Sequence, residues 1–166
     1  MFASFPTSRI LPAAAAAFIL AAPSAARPLV HPLKFFEGKT ESSGTVKIFT
    51  QERYRTRSIG RGRIDADGSL NLVQQVHDEG KPQRERRWRI RQIATGHFAG
   101  SMSEATGPVV IDEVGGLYRF RFKMKGHLAV EQWLAPLPGG ASARNRMTVR
   151  KFGMTVGTGD GIVRKF

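Results

Sequence analysis

The chain of 166 residues contains no cysteine. That absence excludes a disulfide framework, a thiolate metal site and a cysteine nucleophile. Acidic residues are also scarce, 13 against 26 Lys and Arg, which leaves a formal charge of +13. A balance this basic points to an anionic partner or surface and specifies no fold. Long apolar stretches with a 3.6-residue period are missing from Gly44 onward, which argues against a helical architecture. Histidine is sparse too. His31, His77, His97 and His127 fall in four separate segments, and no pair has metal-ligand spacing, so no metal or other cofactor is expected. Ser101 and Ser103 lack a nucleophile elbow. The acids of Asp78-Glu79 and Asp112-Glu113 are adjacent, so on a strand they face opposite ways and are expected at turn or solvent positions. No catalytic residue is nominated.

What is present first is an export signal. Arg9 precedes an apolar run, Ile10–Ala22, and Ser24-Ala25-Ala26 offers small residues at a cleavage site. The run is shorter than the ~20 apolar residues a membrane span needs and contains Pro12. Residues 1–26 are therefore expected to be removed, leaving a periplasmic or secreted protein that begins at Arg27. Residues 27–43 form an N-terminal segment in which Leu29, Leu33, Phe35 and Phe36 make an apolar patch, a short helix or plug capping one end of the domain.

Residues 44–166 read as strand after strand. Hydrophobic residues make up 41% of the chain, with 11 Phe, enough for a core without staples. The clearest strand is Leu117–Lys125, where Tyr118, Phe120, Phe122 and Met124 alternate with Arg119, Arg121, Lys123 and Lys125. Arg84–Ile93 places Trp88 and Ile90 opposite Arg87, Arg89 and Arg91. Further strands are expected at Thr45–Arg57, Gly62–Asp65, Leu70–Asp78, Phe98–Ser103, Val109–Val114, Leu128–Leu134, Met147–Val156 and Ile162–Lys165. Gly115-Gly116 is a two-residue hairpin signal, and Gly157–Gly161 reads as another turn. About 8–10 short strands in one meander predict an all-β fold, a single antiparallel up-and-down barrel.

Two function classes are suggested by the alternation. A lumen lined by Trp88, Tyr118, Phe120, Phe122, Met124 and Trp133 would bind a lipid or other apolar small molecule without catalysis. Alternatively, the outward rows Arg87, Arg89, Arg91, Arg119 and Arg121 would hold an anionic membrane surface or polysaccharide. Nucleic acid suits the charge, but the export signal argues against it.

The chain also resembles bacterial lipoproteins grouped as domain-of-unknown-function family 3833. The resemblance is carried by Pro32-Leu33-Lys34-Phe35-Phe36-Glu37-Gly38 with Gly44, then by Arg86-Arg87-Trp88-Arg89-Ile90. Phe98-Ala99-Gly100-Ser101 with Gly107-Pro108 comes next, followed by Glu131-Gln132-Trp133-Leu134. Asn145-Arg146-Met147 and Lys151-Phe152-Gly153-Met154-Thr155-Val156-Gly157 complete it. The resemblance implies a calycin-like barrel in the Gram-negative envelope and a link to lipids, which adds a lipid-modifying accessory enzyme as a further alternative. The lipidated cysteine of the family pattern is absent here, and Ser103 stands where an Asp is common.

Overall fold

The structure, a computed structural model, describes residues 31–166. The expected export signal lies outside the described residues. Among the described residues one short helix is followed by ten strands: α1 (Pro32–Phe36), β1 (Gly38–Ile48), β2 (Tyr54–Ile64), β3 (Leu70–Asp78), β4 (Arg84–Ala94), β5 (His97–Met102), β6 (Val109–Val114), β7 (Leu117–Met124), β8 (Leu128–Pro136), β9 (Ser142–Lys151) and β10 (Met154–Lys165). Each strand pairs antiparallel with its sequence neighbours, and β1 pairs with β10 from Thr40↔Lys165 to Ile48↔Gly157. The meander thus closes into an up-and-down barrel, which leaves no sheet edge to pair with another chain.

Alternation decides the faces. On β7, Tyr118, Phe120 and Phe122 are buried, and Arg119, Arg121 and Lys123 lie outside. Gly115-Gly116 joins β6 to β7 with both residues at positive φ (57° and 83°), the two-residue hairpin the sequence predicts. One end of the barrel is sealed by α1. Its Leu33 and Phe35 are each only 3% exposed and join a cluster with Leu70, Ile90, Phe98 and Tyr118. The Lys165 ammonium fastens the C-terminus to this plug, donating to the Lys34 carbonyl at 2.6 Å. Since β1 starts at Gly38, the segment 27–43 contributes its last residues to the barrel wall itself.

Strand boundaries differ from expectation in three places. The expected strand Thr45–Arg57 straddles the β1–β2 turn, and Met147–Val156 straddles the turn at Phe152-Gly153. Neither break is evident in sequence, because Phe49 and Phe152 look like strand residues. Conversely, Gly157–Gly161 is not a turn but the middle of β10. The reason is the tight coil of the β1–β10 seam. A Cβ on Gly161 would come within 2.6 Å of the Ser43 carbonyl oxygen, and one on Gly44 would strike the backbone of Asp160. Glycine fits here because another backbone approaches closely.

Candidate functional site

The end of the barrel opposite α1 stays open, and a cavity of about 300 Å³ runs inward from it. Strand β4 sets its character. Arg84, Arg86, Trp88 and Ile90 share one parity and all face the lumen, so the strand grades from charged at the mouth to apolar at depth. Trp88 meets Phe122 edge-on at 5.8 Å between ring centres, a favoured aromatic geometry. Its indole N–H donates to Gln74 Oε1 at 2.7 Å. Phe120, Met124, Val130, Met147 and Val149 continue the apolar wall, and Phe36 and Val163 reach it from the plug end. Beside Met147 on the neighbouring strand, Gly159 of β10 presents bare backbone to the cavity.

The mouth holds a network of paired charges. Arg84 donates to Asp78 Oδ2 at 2.7 Å and to Glu104 Oε1 at 2.9 Å. Arg86 reaches Glu104 Oε2 with Nη2 at 2.6 Å and Nε at 3.0 Å. Glu104 comes from the loop between β5 and β6, so these bonds fasten that loop across part of the opening. Asp78 is buried, which by itself would raise its pKa. Hydrogen bonds from Thr56 and Arg84, with the positive charges of Arg84 and Lys81, outweigh that burial and hold the carboxyl below its ordinary value. Deeper in the wall, Asn145 Oδ1 is buried and makes no hydrogen bond among the described residues. A carbonyl oxygen of this kind favours a donor beside it.

The residues expected in the lumen separate into three groups. Trp88, Phe120, Phe122 and Met124 line the cavity. Tyr118 also points inward, but it packs in the sealed half, 6.3 Å from the Phe98 ring, and does not line the cavity. Trp133 is a correction, because it lies on the outer face. Its register partners are Arg119 and Arg146, while the inward positions of β8 are Val130, Gln132 and Leu134. The Arg119 guanidinium sits 5.6 Å from the Trp133 ring centre, and the indole N–H donates to Glu131 Oε1 at 3.2 Å. Glu131-Gln132-Trp133-Leu134 has large residues at both parities, so alternation alone misassigns it.

Asp78 is a second correction, since it faces the lumen rather than solvent. Its parity with Leu70, Leu72 and Val76 carries that signal, as the parity of Arg84 and Arg86 with Trp88 carries theirs.

The outward rows lie where alternation puts them, yet most of their charge is matched. Arg87 pairs with Glu85 at 2.6 Å and Arg89 with Asp67 at 3.2 Å. Arg121 and Arg119 both reach Asp112, at 2.6 and 3.5 Å. Asp112 also takes a hydrogen bond from His97; that bond and Arg121 keep its carboxyl low against some burial. Arg91 is exposed beside them.

Among solved structures, the S-type phycobiliprotein lyase CPES from Guillardia theta is similar, with a TM-score of 0.63 at 7% identity, over 81% of this chain and 90% of that one. At such low identity the likeness concerns the fold alone. No curated protein matches the chain. A family model does match, over residues 13–165, and the chain accordingly belongs to the family described as Protein of unknown function (DUF3833).

Proposed function

We propose that this protein binds a lipid, or another elongated apolar molecule, in the open half of its barrel and does so without catalysis, as an exported component of the bacterial envelope. The observation that carries this reading is the lumen wall along β3 and β4: apolar around Trp88, Ile90 and Leu72, beneath polar groups at Arg84, Arg86 and Asp78. Its volume of about 300 Å³ falls at the lower edge of the range for small-molecule sites. An apolar tail would displace water from the wall, at roughly 0.8 kcal/mol per buried methylene. A polar head group would meet the guanidinium and carboxylate groups of the mouth, which are already neutralised by one another. The matched charges of the outer arginines favour the lumen over those rows as the functional feature.

Native mass spectrometry of protein purified from its own envelope fraction tests the proposal. The expected spectrum shows a bound species of lipid mass, on a polypeptide that begins at Arg27. Protein that carries no such ligand, and takes up none from a panel of fatty acids and phospholipids, would overturn the lumen reading. A chain retaining Ile10–Ala22 would overturn the export reading separately.

A further inference from the structure

Three side chains at the open end break the usual burial pattern. Phe49, opening the β1–β2 turn, is 62% exposed, and Phe152 and Met154, at the β9–β10 turn, are 73% and 68% exposed. The turns that carry them lie on adjacent parts of the barrel, since β1 pairs with β10. The Phe49 N–H donates to the Val156 carbonyl at 3.1 Å, and the Phe152 ring lies 5.4 Å from His127 of the β7–β8 turn. Phe152 also holds φ at 48°, a left-handed conformation that glycine or asparagine adopts far more readily than a bulky residue. Such an aromatic at a turn tip opposes both solvation and backbone preference. Basic groups surround the patch: Lys47, Arg53, Lys125 and Lys151 stand on or beside these three turns, against Glu52 as their one acid among the described residues. The opposite end of the barrel also exposes Ile93, Val114 and Phe166, but its turns carry Asp65 and Asp67.

We infer that this sector of the rim docks on the surface of an anionic lipid bilayer. Phe49, Phe152 and Met154 enter the acyl boundary, while the flanking lysines and Arg53 lie among the head-group phosphates. Apolar tips with basic flanks are the pairing that interfacial anchoring uses. The same basic flank disfavours a second copy of this basic chain as the occupant. Ile48, Tyr54, Met124 and Leu128 line the cavity just beneath these turns, so docking turns the lumen mouth toward the bilayer. Docking is independent of lumen binding, since the rim docks whether the lumen is filled or empty.

Vesicle flotation tests it, comparing mixed phosphatidylglycerol–phosphatidylcholine vesicles with pure phosphatidylcholine vesicles. Binding should need the anionic lipid and weaken as salt rises from about 0.1 M to about 1 M, where the Debye length shrinks to about 3 Å. The variant F49S/F152S/M154S should bind about tenfold less or weaker still, as should K47E/K151E. R87A/R89A/R91A should float like the wild type. Phe152→Gly provides a variant that removes the ring while easing the backbone, so it should melt no lower than the wild type and still bind less. Wild-type flotation of the triple variant, equal binding to neutral vesicles, or loss only in the outer-row variant would overturn the inference. A lipid-free dimer that the triple variant dissolves would do so as well, by giving the rim to a second copy.

Discussion

Asp78 shows how a single inward carboxyl ties stability to pH. Its carboxyl is held below the ordinary value by Thr56 and Arg84 in spite of burial. A depressed carboxylate contributes stability above its unfolded pKa and loses that contribution as pH falls through the folded value. The wild-type urea midpoint should therefore drop from about pH 4 downward, and Asp78→Asn should flatten that dependence. Identical pH slopes for the two proteins would show that Arg84 does not hold the carboxylate in its charged form. The exposed ion pairs, such as Arg57–Glu41 at 2.9 Å, should matter little, since solvent screens them. Aromatic positions divide in the same way by face. Phe98, 2% exposed in the sealed half, should cost about 3–5 kcal/mol on truncation to Ala. Trp133→Phe should cost less than about 1 kcal/mol, because the ring lies outside against Arg119. Chemical denaturation measures both, and a larger loss at Trp133 would mean that its outer placement is wrong.

At the scale of elements, the β1–β10 seam decides whether the meander closes. Gly44→Ala and Gly161→Ala force a Cβ against the opposing backbone, so each should destabilise by about 1–3 kcal/mol. Gly107→Ala meets nothing within 4 Å and should stay within about 0.5 kcal/mol. Equal midpoints in urea for all three would remove the close approach as the reason for glycine. This seam is also where sequence reading is weakest. Alternation of Phe and Arg on β7, or of Trp88 and Arg89 on β4, makes those strands, their faces and the barrel legible directly. A run such as Gly157–Gly161 carries no side-chain pattern, and only the close approach of a distant strand explains its glycines. The turns at Phe49 and Phe152 are concealed for the opposite reason, since their residues favour strands by composition. Of the lumen, Trp88, Phe120, Phe122 and Met124 are legible from alternation. Arg84, Arg86 and Asp78 share that parity, but charge suggests solvent until Glu104 is seen arriving from a distant loop to pair with both arginines.

For the whole molecule, the barrel is asymmetric along its axis. A helix and packed aromatics seal one end; the other has an open mouth, a neutralised charge network and a basic rim with exposed Phe49 and Phe152. The net charge of +13 is thus only partly expressed on the outer arginine rows, where Asp67, Glu85 and Asp112 offset it, and is less opposed on the β1–β2, β7–β8 and β9–β10 turns, where Glu52 is the one acid among the described residues. The central claim is that the lumen takes up an apolar chain, and Trp88 is placed to report it. The chain has 2 Trp, so Trp133→Phe leaves Trp88 as the single indole emitter. Titrating that protein with a fatty acid brominated along its chain should quench Trp88 saturably at about one ligand per barrel, because the cavity wall includes the indole. Val149→Phe, which narrows the same cavity, should weaken the quenching strongly. Emission from Trp88 that stays constant through the titration, or quenching that Val149→Phe leaves unchanged, would contradict a ligand-binding lumen.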